Sequence, residues 1–119
     1  MNIQERTLGD ITLLDLEGNF VLGVENPFKL SVAAHIDAGG RKLIVNLAKV
    51  SYMDSTGLGE LVSCYTQMKR VSGQMKLLNP NNRLHQLLVI TKLITVFETF
   101  DSEAAAIFSF APDTEVAVV

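Results

Sequence analysis

The feature that most constrains the fold is a short run at Leu43–Leu47, in which four of the five residues are Leu, Ile or Val. A nearly continuous apolar run of this length is typical of a central strand buried on both faces of a sheet. An amphipathic helical pattern follows, with apolar side chains three and four residues apart between Leu58 and Val71. A buried strand that alternates with helices in this way predicts an α/β fold with parallel later strands.

The flanking sequence continues the alternation. Gly9-Asp10 separates two short apolar-rich runs and is typical of a hairpin turn. Asn26-Pro27 is typical of an N-cap followed by the first helical residue, and Gly39-Gly40 of a helix end. The predicted order is β-β-α-β-α-β-α-β-α, a mixed sheet packed with about four helices. Strands are expected at 3–8, 11–18, 43–47, 75–78 and 96–100, and helices are expected to begin near residues 27, 58, 82 and 103.

The length of 119 residues fits one domain, which we expect to cover residues 1–110. Residues 111–119 contain Pro112 and no helical stripe, so they are expected to form a loose tail. No apolar run is long enough to span a membrane, and the first residues lack the pattern of a signal peptide. We therefore expect a cytoplasmic protein.

Composition excludes several kinds of site. The lone cysteine, Cys64, rules out an internal disulfide and a multi-thiolate metal site, and we expect it to be a small buried residue. His35 and His85 are far apart in sequence and are expected on helix surfaces rather than as metal ligands. Methionines Met53, Met68 and Met75 are expected in the core.

The charge distribution argues against nonspecific nucleic-acid binding. The formal net charge is -3, whereas such binders present a basic face to the phosphates. The charge is nevertheless uneven, because residues 41–92 carry eight basic and two acidic side chains while both flanking segments are acidic. We interpret this pattern mainly as solvated helix faces. The alternative is a mildly positive middle that favours an anionic partner.

The segment Tyr52–Gly59 carries the chemistry. Asp54, Ser55 and Thr56 all have side-chain oxygens suited to an N-cap. Gly57 and Gly59 leave the start of the following helix bare, and such a start suits an anion or a partner's loop. An equally simple interpretation is a well-capped helix whose two glycines allow close packing.

Known catalytic motifs do not fit the sequence. The P-loop pattern and Gly-x-Ser-x-Gly are absent, and neither histidine has an evident partner for a serine hydrolase. The Asp54–Gly57 segment differs from the Asp-Thr/Ser-Gly of aspartic proteases by an inserted residue. A receiver domain is excluded because the chain begins with two strands and has no lysine after Lys92. We therefore expect a protein that is not an enzyme and needs no cofactor.

To about residue 110 the chain resembles a STAS domain, the fold of bacterial anti-sigma factor antagonists. The residues that carry this resemblance are Leu43–Leu47 and Val50–Gly59, of which the Asp-Ser-Thr-Gly-Leu-Gly segment is the most specific. Ser72–Asn79 and Leu93–Phe97 support it by falling in the right order.

The resemblance implies a switch. In the family, the serine directly after the aspartate is phosphorylated by a partner that is both an anti-sigma factor and a serine kinase, and Ser55 matches that position. The unphosphorylated protein binds this partner, which releases a sigma factor, and a serine/threonine phosphatase resets the switch. A phosphate adds about -1.5 to -2 charge. A helix N-terminus tolerates that charge, whereas an interface beside Asp54 would repel it.

The implied partner surface comprises the helix start and the segment after the second strand. Its residues are Asp54, Ser55, Thr56, Gly57, Leu58, Gly59, Phe20, Val21 and Leu22. Val21 stands where many family members have an acidic residue, and Phe20–Leu22 either extend the strand or form an exposed apolar patch.

The departure at Val21 motivates an alternative function. The chain could be a STAS domain that binds without switching, for example an accessory subunit of a transporter or part of a signalling complex. A sensor for a nucleotide or another small molecule is a third hypothesis.

Overall fold

The structure, a computed structural model, describes residues 1–21 and 27–110. These residues form five strands and four α-helices in the predicted order. The strands are β1 (Asn2–Leu8), β2 (Ile11–Phe20), β3 (Lys42–Met53), β4 (Gln74–Leu78) and β5 (Thr99–Phe100). The helices are α1 (Pro27–Asp37), α2 (Ser55–Arg70), α3 (Asn82–Ile90) and α4 (Glu103–Phe108), with a 3-10 turn at Leu93–Thr95.

The strands form one mixed sheet in the order β1-β2-β3-β4-β5. β1 pairs with β2 antiparallel through the turn at Gly9-Asp10, and the remaining neighbours are parallel. The carboxyl ends of the parallel strands therefore share one edge of the sheet, from which α2 and α3 begin. This confirms the predicted α/β fold class.

Side chains alternate between the two faces of the sheet, and each face has its own core. Leu14, Leu43 and Val45 lie on the face covered by α1, α2 and α3, whose buried apolar residues complete the larger cluster. Ile44 and Leu78 point to the other face, where Ala106 of α4 and Phe110 cover them. The central strand is thus buried on both faces, as its continuous apolar run predicted.

Element bounds differ from the prediction by three residues or more at three places, and by one or two residues in β1, β2 and β4. β3 extends to Met53 because its second half pairs with the end of β2, and α2 begins at Ser55 rather than Leu58 because Asp54 caps it. β5 contains two residues instead of five, since the 3-10 turn precedes it and Phe97 enters the core without pairing to β4. The predicted cap at Asn26 and the predicted loose tail at 111–119 lie outside the described residues.

Ionic contacts hold α4 on the second face. Lys76 on β4 is 2% exposed, and its ammonium lies 3.4 Å from a Glu98 carboxylate oxygen and donates a hydrogen bond to the Ser109 carbonyl at the end of α4. Arg6 bridges Asp15, at 2.6 Å, and Glu103 of α4, at 2.7 Å. These hydrogen bonds with Arg6 hold the pKa of Asp15 below its ordinary value.

His35 is buried, so its predicted place on a helix surface is wrong. The imidazole packs so closely over Gly40 that a Cβ at this glycine would overlap the ring, and Nε2 makes no hydrogen bond in the described part of the chain. Burial lowers the pKa of His35, and Arg41 lowers it further, while Glu5 opposes both effects. The folded chain therefore disfavours protonation of this side chain.

We expect stability to fall as the pH drops through and below the ordinary histidine pKa of about 6.5, because of His35. Its pKa is lower in the folded than in the unfolded chain, so its contribution is complete above the ordinary histidine pKa and is lost as the pH falls through the folded value. Urea unfolding across this range should show a smaller decline for His35→Gln than for the wild type.

His85→Gln is the matched control, because His85 is exposed on α3. An undiminished decline in His35→Gln would contradict the assignment. Asp10 and Asp15 do not confuse the comparison, because carboxylates with lowered pKa values destabilise the fold only at more acidic pH.

Candidate functional site

The candidate site lies where β3 passes into α2. Met53 ends the strand, Ser55 begins the helix, and Asp54 between them is the N-cap. The Asp54 carboxylate accepts a hydrogen bond of 2.8 Å from the Gly57 N–H, and its carbonyl accepts one from the Leu58 N–H. An aspartate in this place satisfies an otherwise unpaired amide and interacts favourably with the helix macrodipole.

Ser55 and Thr56 follow the cap and are both exposed. Neither hydroxyl makes a hydrogen bond in the described part of the chain. Ser55 is therefore the first residue of α2, open to solvent and beside a carboxylate that is already engaged by the helix. A hydroxyl in this position is available to a partner protein or to a phosphoryl group.

A glycine is required at position 57 because the start of α2 lies very close to the end of β2. The residue is buried, and a Cβ here would overlap the carbonyl oxygen of Phe20 and come within 2.8 Å of its ring. The same Phe20 carbonyl accepts a hydrogen bond of 3.3 Å from the Asp54 N–H. The backbone of Phe20 thus sets the position of the helix start.

Gly59 has no comparable structural reason. It is exposed and helical, and a Cβ at this position would meet no atom within 4 Å. Glycine in a helix interior costs about 1 kcal/mol relative to alanine. Because Gly59 stands four residues after Ser55, the two lie on one helix face, and the missing side chain leaves the approach to Ser55 clear.

A groove of about 590 Å³ separates the start of α2 from α3. Tyr52, Ser55 and Leu58 lie on one wall, and Arg83 and Ile90 lie on the other. The groove is partly apolar, since Ile90 is 78% and Tyr52 44% exposed. Exposed apolar side chains beside polar ones are typical of a protein contact surface.

The α3 wall was not predicted from the sequence, although one signal was present. Ile90 falls off the stripe formed by Leu84 and Leu88, which are buried. A single exposed apolar residue is common, but Ile90 shares the groove with exposed Tyr52, and an exposed apolar patch indicates a contact surface. Asn81 holds this wall in place, because its side chain caps α3 and also donates a hydrogen bond of 3.0 Å to the Val50 carbonyl of β3.

The other candidate residues divide between core and surface. Phe20 is 3% exposed and its ring packs edge-on against Phe28, so this side chain supports the site from beneath. Val21 is exposed, and Leu22 lies outside the described residues. Leu58 is buried in the larger core and reaches the groove only at its edge.

The described residues offer little for catalysis. Cys64 is buried as predicted, and burial together with the charge of Glu60 raises the pKa of its thiol to about 12. No group of three or more His, Cys, Asp or Glu side chains that could hold a metal ion occurs in residues 1–21 and 27–110. In those same ranges, no helix is long and apolar enough to cross a membrane. The arrangement is suited to binding a partner and to accepting a phosphoryl group on an exposed hydroxyl.

Comparisons with known proteins identify the family of the chain. The family model for the STAS domain matches residues 2–106. The anti-sigma-B factor antagonist of Bacillus subtilis is 34% identical over 89 residues, which cover 62% of this chain and 82% of that relative.

Two solved structures share the fold. A candidate anti-sigma factor antagonist from Thermotoga maritima superposes with a TM-score of 0.86 at 21% identity, covering 92% of this chain and 95% of the other. The Bacillus cell fate determinant SpoIIAA in its phosphorylated form superposes with a TM-score of 0.73 at 21% identity, covering 91% and 98% respectively.

The two glycines of α2 should respond to alanine with opposite signs. Gly57→Ala should destabilise the fold by about 2 kcal/mol or more, because the new methyl group overlaps the Phe20 carbonyl. Gly59→Ala should stabilise it by about 1 kcal/mol, because the methyl group meets open space in a helix. Urea unfolding of the two variants measures both effects, and a shared sign would contradict the packing described here.

Proposed function

Because the chain belongs to the STAS domain family, we propose that it is an anti-sigma factor antagonist. In this proposal the unmodified chain binds an anti-sigma factor that is also a serine kinase, and a sigma factor is released. Phosphorylation of Ser55 ends the binding, and a serine/threonine phosphatase restores it. The place of action is the cytoplasm, where sigma factors meet RNA polymerase.

The observation that carries the proposal is the position of Ser55. Its hydroxyl is exposed, makes no hydrogen bond in the described part of the chain, and stands at the first position of a helix capped by Asp54. A kinase can reach this hydroxyl without unfolding the helix. The relatives named as anti-sigma factor antagonists and the phosphorylated form of SpoIIAA support the same assignment.

The electrostatics of the helix start explain how a phosphate could switch binding without damaging the fold. The N-terminus of α2 carries a partial positive charge that favours a phosphate on Ser55. The phosphate would stand beside the Asp54 carboxylate and raise the negative charge of the contact surface. A partner group that packs closely on the unmodified hydroxyl would then be repelled and would have to desolvate the new charge.

The groove offers room for the partner's contact segment. Tyr52 and Ile90 present apolar surface, and Ser55 stands on the rim between this surface and solvent. A partner that binds the groove therefore holds Ser55 against its own surface. That geometry suits a partner that is both the binding target and the kinase.

In this proposal the chain acts by binding a partner rather than by catalysing a reaction. The relatives that match are antagonists named for what they oppose, not for a reaction. The described part of the site contains a hydroxyl, a capping carboxylate and a groove, with no base positioned to activate the hydroxyl. The phosphoryl chemistry belongs to the partner.

Replacing Ser55 should abolish the switch. In Ser55→Ala the cognate kinase and ATP should leave the chain unmodified, and partner binding should persist after incubation, because the acceptor hydroxyl is gone. Phosphopeptide mapping identifies the modified residue, and calorimetry measures the binding.

Two matched variants control for nearby hydroxyls. Thr56→Ala removes the neighbouring exposed hydroxyl, and Ser63→Ala removes one further along the same helix. Ser63→Ala should be phosphorylated like the wild type, and Thr56→Ala, which changes the implied partner surface, should still be modified at Ser55. Phosphorylation of Ser55→Ala at the wild-type rate would refute the switch, and a chain that binds its partner but is never modified would support the non-switching binding module instead.

Gly59→Ala tests whether the open approach to Ser55 matters. This variant should be more stable than the wild type and yet be phosphorylated at least about tenfold more slowly, because a clash worth about 1.4 kcal/mol at a close contact changes affinity tenfold. Ser63→Ala, which also alters an exposed residue of α2, should leave the rate unchanged. An unchanged rate for Gly59→Ala would show that the partner does not approach along this face.

A further inference from the structure

Arg83 occupies an unfavourable place in α3. It is the second residue of the helix, whose first turn contains no acidic side chain. The macrodipole disfavours a cation at this end of a helix. Arg83 is exposed, and in the described part of the chain its guanidinium makes no hydrogen bond or ion pair. Within residues 1–21 and 27–110, no contact offsets the position of this arginine at the helix start.

The groove determines which part of the candidate site this arginine faces. Arg83 lines the same groove as Ser55, from the opposite wall. Of the described residues that line it, Arg83 carries the positive charge and Asp54 the negative one. The Asp54 carboxylate is engaged in capping α2 through the Gly57 N–H. The arginine therefore lines a groove that contains an acceptor hydroxyl, and in the described part of the chain it makes no ion pair with the capping carboxylate.

A side-chain hydrogen bond anchors the start of α3, which carries Arg83, to the strand that precedes Ser55. Asn81 ties the start of α3 to the Val50 carbonyl of β3, and Ser55 follows the end of the same strand. Both walls of the groove therefore start from one strand edge. An arginine two residues after this anchor stays beside the groove without any movement of α3.

We propose that Arg83 is the receptor for the phosphate on Ser55, so that in the modified chain the two side chains pair across the groove. The inference rests on the proposed function, since it concerns the modified state of Ser55. A phosphoserine adds three strong acceptor oxygens, and the planar guanidinium fork matches them with paired hydrogen bonds. Phosphorylation then acts twice, because the added charge repels the partner and the new ion pair spans the groove that the partner would occupy.

The test uses the full chain with phosphoserine incorporated at position 55 during synthesis, so that no kinase is needed. Phosphorus NMR follows the second ionisation of the phosphate, which titrates near pH 6 in free phosphoserine. In Arg83→Gln the midpoint should rise by about half a pH unit or more relative to the wild type, because the cation that favours the doubly charged form is lost. The N-terminus of α2 acts equally on both chains, so the difference reports Arg83.

Lys69→Gln is the matched control. It removes one positive charge from the last turn of the same helix that carries Ser55. Fourteen residues separate the two positions, or about 21 Å along the helix, which exceeds the screening length of about 10 Å in 0.1 M salt. The midpoint of Lys69→Gln should equal that of the wild type.

The outcomes separate this inference from the proposed function. A midpoint that does not move in Arg83→Gln, or that moves equally in Lys69→Gln, would overturn the pairing whether or not a kinase modifies Ser55. Hydrogen exchange provides a second test of the ion pair. Phosphorylation should slow exchange in the first turn of α3 in the wild type but not in Arg83→Gln, and equal exchange in the two would overturn the closure of the groove.

Discussion

The contact between the end of β2 and the start of α2 is the constraint on which the site depends. Parallel pairing runs β2 alongside β3 until Phe20 stands opposite Met53. The Phe20 carbonyl then accepts the Asp54 N–H and presses against the bare Cα of Gly57. This contact decides where the strand stops and the helix starts, and so it decides that Ser55 is the first exposed residue of the helix.

The two faces of the sheet hold different helices by different interactions. Three helices on one face provide the large core that holds α2 and α3 rigid at the strand edge. On the other face, Lys76 and Arg6 hold the short α4 with ion pairs and a hydrogen bond to a helix carbonyl. A buried lysine is tolerated because its ammonium also lies 4.5 Å from the Phe110 ring centroid, within the range of a cation–π contact.

The sequence predicted the elements that local chemistry determines and missed those that depend on distant contacts. The central strand followed from its apolar run, and a capped helix start followed from Asp54, Ser55 and Thr56, because these signals are contained within a few residues. The sequence left open which of the three residues is the cap. The burial of His35 was missed because it depends on Gly40, which packs against the ring after the helix has ended. The shortness of β5 was missed because Phe97 looks like a strand residue and instead fills the core beneath α2. The groove was missed because its two walls come from different helices, which begin 27 residues apart at Ser55 and Asn82.

Gly57 and Gly59 show why a motif cannot be interpreted from residue types alone. As letters they are equivalent, since both sit in the first turns of one helix and both are compatible with close packing. In the folded chain the Phe20 carbonyl occupies the space that a side chain at Gly57 would need, whereas a side chain at Gly59 would meet open space. A helix that keeps a glycine without an internal reason bears a cost in stability, and an incoming surface that must come close to Ser55 supplies a reason.

Arg83 presents the same kind of argument, since its position opposes the helix dipole and only a negative charge arriving at the groove would offset that opposition. Gly59, on the helix that begins with Ser55, and Arg83, on the facing wall of the groove, are both unfavourable in the isolated domain, and the proposed alternation between a partner-bound and a modified Ser55 would explain both.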